Sequence, residues 1–123
     1  LIGGDFRQHA QVVSCRQKIA GAGAFSLGMI AEFRESLRKF GPWWYRRLFW
    51  ESGVLGQVLY LEAEAAGIRG TGIGCYFDDA FHSILGLRDN QLQSLYHFTI
   101  GGPVEDTRLM TLPPYAHLDG RSR

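Results

Sequence analysis

The chain has 123 residues, enough for one domain with its own core, and a formal net charge of +1. That balance gives no electrostatic case for nucleic acid or for an acidic substrate. Hydrophobic residues make up 46% and aromatics 13%, a packed globular composition, and the apolar runs are too broken by Arg and Glu to span a membrane. No secretory-signal pattern is readable, and the expected location is cytoplasmic. The sequence opens on Leu1 rather than Met, which reads as a fragment, a processed product or a domain cut from a longer chain. Cys15 and Cys75 lie far apart, outside any Cys-x-x-Cys or Cys/His ligand spacing. Two free thiols are expected, with no zinc or redox motif.

Asp5 to Lys18 reads as a helix with Asp5 as N-cap and Phe6, Ala10, Val13 and Gln17 near one face. Gly21-Ala22-Gly23 breaks it. Ala24 to Phe33 alternates between glycines and reads as a buried strand. Arg34 to Phe40 is basic and polar, an exposed connection or a short helix, closed by Gly41-Pro42.

Trp43 to Ala66 reads as one long helix, with Pro42 just before its start and Gly67 as its stop. Leu48, Ser52, Leu55 and Leu59 form one stripe; Phe49, Gly53, Gly56 and Tyr60 form a second. Two stripes predict burial on more than one side. Gly53 and Gly56 each cost about 1 kcal/mol relative to alanine in a helix, so close backbone approach to a helix or a ligand is expected there. Ile68 to Phe77 holds a strand, Asp78 caps a short helix through Leu85, and Gly86 ends it. Leu95 to Ile100 is a strand with Leu95, His97 and Thr99 on one face and Tyr96, Phe98 and Ile100 on the other. Beyond Gly101-Gly102-Pro103 the chain reads as an extended arm.

Few residues signal chemistry. Gly72-Ile73-Gly74 would let a backbone approach a flat ligand, although a bulge or tight packing is the commoner reason for such glycines. It is not a dinucleotide fingerprint, which follows a strand and opens a helix. Arg108 follows the last strand, where its guanidinium could reach a phosphate or simply be solvated. Glu62 and Glu64 point apart and make no acid–base pair, and Glu51 is expected to be held by Arg46 or Arg47. His9, His82, His97 and His117 are scattered without a nucleophile or ligand partner at useful spacing, and Ser14 and Ser83 show no triad context.

Glu51-Ser52-Gly53, Gln57-Val58-Leu59-Tyr60-Leu61, Ala65-Ala66-Gly67, Gly72-Ile73-Gly74, Phe77-Asp78-Asp79 and Leu85-Gly86-Leu87 occur in that order. Tyr96-His97-Phe98 and Ile100-Gly101-Gly102-Pro103 follow them. The order and spacing resemble the nitroreductase family, most closely its SagB-type thiazoline and oxazoline dehydrogenases. The resemblance covers roughly Gly4 to Arg108. It implies an α+β fold, a mixed sheet wrapped by helices with a long central dimer helix, and homodimers holding flavin mononucleotide (FMN) at their interface. It divides the chain into the C-terminal part of a flavin domain, residues 1–108, and an extended arm, residues 109–123. Gly72, Ile73, Gly74 and Cys75 match the strand that passes the flavin ring, and Arg108 matches a basic position that meets the flavin phosphate.

The activity implied is hydride transfer through flavin N5, with NADH or NADPH as electron donor and a small molecule or a peptide azoline as substrate. Tyr76 and Phe77 would shape the pocket. The basic, serine-containing motif that grips the flavin phosphate in relatives does not occur in this chain. The alternative expectation is therefore a non-catalytic dimerisation or partner-binding module that keeps the fold without the flavin.

Overall fold

The computed structural model describes residues 3–119. Its elements run α1 (Arg7–Val13), α2 (Lys18–Ala22), β1 (Phe25–Glu32), α3 (Phe33–Phe40), α4 (Trp44–Ala65), β2 (Arg69–Ile73), α5 (Asp78–Leu85), β3 (Leu92–Gly101) and α6 (Ala116–Asp119). The architecture is α+β. Three strands form one sheet in the order β1-β3-β2, and β3 pairs antiparallel with both neighbours. Both edges of β3 are thus occupied. A parallel strand, needed for the expected mixed sheet, could join only outside β1 or β2, and none lies there among the described residues.

β3 is the buried strand because apolar or small side chains occupy both of its faces. Tyr96, Phe98 and Ile100 look toward α4, where Phe98 and Ile100 pack with Ala63, Leu59 and Ile68. On the opposite face His97 meets Phe81 of α5, and the Thr99 hydroxyl donates to the Ile19 carbonyl at the end nearest α2. The alternation expected from sequence holds here. It breaks one step earlier, because Met29 pairs with Tyr96 but Ile30 pairs with Ser94. Leu95 is left over as a β-bulge, which shifts the facing of everything before it. β1, expected to be buried, is an edge strand with half-exposed side chains.

Within this one chain α4 buries one side only, so the two-sided burial expected from sequence would need a further partner. Leu48, Ser52, Gly56 and Ala63 are its buried residues and make one stripe, while Trp50, Val54, Leu55 and Leu61 stay exposed. Gly56 does need close approach, but to a tyrosine of the sheet: a Cβ there would stand 2.8 Å from Tyr96 Cε1. A Cβ at Gly53 would meet nothing within 4 Å. Gly67 ends the helix at φ +71°, and the Ile68 N–H folds back to the Ala63 carbonyl at 2.9 Å, the left-handed glycine stop.

The remaining helices adjust the sequence reading locally. The expected Asp5–Lys18 helix stops at Val13, before Cys15 and Arg16 with φ values of +53° and +59°, and a second helix starts at Lys18 and runs through the expected break as far as Ala22. The N-cap position falls on Phe6 rather than on the expected Asp5; the Asp5 carboxylate accepts the Arg7 N–H at 3.0 Å from one residue further out. The Arg34–Phe40 segment is the helix α3, closed by Gly41. Asp78 sits inside α5 rather than capping it; its carboxylate accepts Gln93 Nε2 at 2.9 Å instead. The arm is irregular after β3 and enters the one-turn α6, and residues 120–123 lie outside the described part.

Candidate functional site

The β2 ladder ends at Ile73, paired with His97, and the four flavin-contact residues expected from sequence straddle that end. They do not share one role. Gly72 donates its N–H to the Tyr60 hydroxyl at 2.7 Å, and a Cβ on Gly72 would collide with the Tyr96 hydroxyl. Its missing side chain makes room for Tyr96, half-buried against the core, and for the hydroxyl of the exposed Tyr60. Gly70 does the same for Phe98, whose ring would lie 2.7 Å from an added Cβ. Ile73 is buried, and it lines a cavity of about 150 Å³ with Val13, Leu27, Phe81 and His97.

Gly74 is the open position: it is exposed, and an added Cβ would meet nothing within 4 Å. A flat group could lie against its backbone without displacing a side chain.

Cys75 corrects the free-thiol expectation. It is bonded to Cys15 across 60 residues of sequence, with the Cα atoms 5.9 Å apart, inside the range a disulfide needs. Sequence distance concealed the pair because the α1–α2 turn folds back onto the end of β2.

Arg108 stands in the irregular segment after β3, apart from this cluster. Its guanidinium grips Asp106 with both branches, Nε to Oδ1 at 2.8 Å and Nη2 to Oδ2 at 2.6 Å. That pairing holds the Asp106 carboxyl below its usual range and raises Arg108. Arg108 lines neither the Ile73 cavity nor the open cleft of about 620 Å³ formed by Gly70, Thr71, Gly101 and Pro103.

A polar cluster that sequence spacing did not reveal surrounds the bulge. Ser94 Oγ lies 3.0 Å from His97 Nε2. Residues three apart on a regular strand face opposite ways, but the extra residue Leu95 turns both inward. His82 Nε2 of α5 accepts the Ser94 N–H at 3.0 Å, and the Tyr76 hydroxyl donates to the Ser94 carbonyl at 3.3 Å. Tyr76 stacks on the His97 ring, centroids 4.1 Å apart and planes nearly parallel, while Phe81 meets it edge-on. Ser94 is only 2% exposed, so no substrate reaches its hydroxyl. The Ser–His contact pins the bulge; it is not a nucleophile with its base.

Burial pushes the His97 pKa down, partly offset by Asp78, and burial also raises the Tyr76 hydroxyl. With the His97 pKa depressed in the fold, the unfolded chain binds more protons in acid. Stability from this group is therefore full above the unfolded value of about 6.5 and is lost as pH falls below it. The urea midpoint is expected to drop between pH 7.5 and 5, and His97→Gln should flatten that slope. An equal slope in the variant would assign the effect to other groups.

Glu51 is held by Arg47 at 3.3 Å, as expected, but both side chains are about half exposed, so the pair is a weak surface contact.

Neither a protein-family model nor a curated protein matches the chain. Solved structures do. A nitroreductase-assigned protein from Anabaena variabilis superposes with a TM-score of 0.76 at 28% identity, over 82% of this chain and 20% of that one. The Escherichia coli microcin synthetase McbBCD, in complex with truncated pro-MccB17, gives 0.71 at 21% identity, over 85% and 40%. Nitroreductase A from Vibrio parahaemolyticus gives 0.70 at 17% identity, over 100% and 55%. This chain thus spans between a fifth and just over half of the length of these three relatives. The α+β fold of this chain is the nitroreductase fold, and over part of that fold's length it resembles the nitroreductases and the microcin synthetase.

Proposed function

We propose that the chain is part of an FMN-dependent oxidoreductase of the nitroreductase type, akin to the SagB-type dehydrogenases. The observation that carries the reading is Gly74. It is an exposed glycine with open space where a side chain would stand, directly after the buried Ile73 that anchors the end of β2. In this reading the Gly74 and Cys75 backbone borders the flavin ring, Ile73 fixes the strand beneath it, and Gly72 acts only through packing. Arg108 would release Asp106 to meet the flavin phosphate. When bound, the flavin supplies hydride transfer through N5; the chain's residues position it and exclude water. The electron donor would be NADH or NADPH and the acceptor a small molecule or a peptide azoline, in the cytoplasm. Residues 1–108 would form the flavin-domain portion and residues 109–123 the arm.

The active form would be a homodimer through the outer face of α4. Val54 and Leu61 are 65% and 61% exposed on a helix whose opposite stripe is buried, and a second copy would cover them. Gly56 faces inward against Tyr96, so it is not the residue with which to probe this interface. Val54→Arg with Leu61→Glu is expected to raise the dimer dissociation constant at least about 100-fold while leaving secondary structure intact. An unchanged sedimentation profile would remove α4 as the interface.

The same apolar face supports the second reading, a partner-binding module without flavin. Titration with FMN separates the two. Quenching of flavin fluorescence with saturable stoichiometry supports the oxidoreductase. A dimer that leaves FMN free supports the module.

A further inference from the structure

We infer that the Cys15–Cys75 pair is a reversible thiol–disulfide clasp that fixes the Gly74–Phe77 segment, and that a dithiol reductant opens it. The segment has left the β2 ladder, which ends at Ile73, and α5 begins only at Asp78. The Tyr76 side chain is held by β3, stacked on His97 and bonded to the Ser94 carbonyl, while the segment's backbone and Cys75 are held from the α1–α2 turn. Besides the disulfide, the Phe77 N–H donates to the Val13 carbonyl at 2.7 Å, and Gln17 Nε2 donates to the Cys75 carbonyl at 3.1 Å and to the Ser14 carbonyl at 2.9 Å.

The turn on the other side of the clasp is held in an uncommon conformation. Cys15 and Arg16 are consecutive non-glycine residues with left-handed φ of +53° and +59°, a backbone that side chains disfavour. A turn of this kind persists when its surroundings enforce it, and the Cys15 side chain bonded to Cys75 is one such constraint. Opening the clasp removes it and leaves the Gln17 bonds without a fixed geometry to serve.

Access completes the case. Cys75 is exposed and Cys15 half-exposed, and Gly74 beside them is open. A thiolate of the reductant attacks Cys75 Sγ, the Cys15–Cys75 bond breaks, and Cys15 leaves as a thiolate that takes a proton. The second thiol of the reductant then displaces Cys75. The protein disulfide is reduced by two electrons and the dithiol is oxidised to its own disulfide. Because the clasp borders Gly74, its state would also set FMN affinity, a consequence that rests on the flavin reading above.

The test compares the oxidised protein, the protein reduced with dithiothreitol, and a Cys15→Ser/Cys75→Ser variant, by thiol alkylation with mass spectrometry and by amide hydrogen exchange over residues 74–77. No alkylatable thiol is expected before reduction and two after it. Exchange over this segment should rise at least about tenfold on reduction, with the double serine variant matching the reduced form with or without dithiothreitol. Two free thiols in the air-oxidised protein, or equal exchange in all three samples, would overturn the clasp. FMN titration of the same samples is expected to show about tenfold weaker binding when the clasp is open. If no sample binds FMN, the flavin reading fails while the exchange result still decides the clasp.

Discussion

Gly72→Val is expected to destabilise the fold by about 3 kcal/mol, in the range that overpacked cores show. A side chain at this position has nowhere to go: it would meet the Tyr96 hydroxyl and ring, with Tyr60 close behind. Tyr96 has little room to shift, because Gly56 of α4 lies close to its ring at Cε1. Thermal or urea unfolding reads the loss directly, as a melting temperature lower by about 10 °C or more for a chain of this size. Tyr96→Phe, which removes the hydroxyl, should recover part of the loss in the double variant, as coupled neighbours do. Full stability in Gly72→Val would mean that the strand and the tyrosines do not pack as described.

Gly74→Val should behave in the opposite way. No atom lies within 4 Å of the added Cβ, so the melting temperature is expected to stay within about 2 °C of the parent's, as for exposed sites. FMN affinity, by contrast, should fall by about 100-fold, because a branched side chain would stand between the backbone and a flat ring, a clash of about 2–3 kcal/mol. The two glycines are two residues apart on one strand end, yet one variant tests the core and the other the ligand. Loss of stability without loss of flavin in Gly74→Val would reverse the assignment.

Much of the fold was legible because it rests on local chemistry. Gly67 and Gly86 stop their helices at φ +71°, and the Tyr96–Ile100 alternation foretells which face of β3 meets α4. The length of α4 was also readable, but its surroundings were not. An apolar helix in sequence looks the same whether its second face meets its own sheet or remains exposed. The Leu95 bulge is invisible to a period-two reading, which would set Ser94 and His97 on opposite faces, whereas the extra residue turns them together.

The candidate site was legible as a segment rather than as roles. Gly72 and Gly74 are the same residue type in one motif, and only tertiary packing reveals that Tyr96 occupies the first while the second is open. Cys15 and Cys75 escaped for a related reason: a pairing across 60 residues depends on a turn that brings α1 back to the end of β2. Arg108 stands out in sequence for its place after β3, but in the fold its guanidinium pairs with Asp106, a carboxylate two residues away.

The most direct test of the central claim is the visible absorption spectrum of the purified protein titrated with FMN. The account predicts a saturable red shift and structuring of the flavin bands, moved to about 100-fold higher concentration in Gly74→Val and retained when the His97→Gln variant is titrated at neutral pH. A spectrum that stays that of free FMN at every protein concentration would contradict the flavin site and leave α4, with its exposed apolar face, as the functional surface.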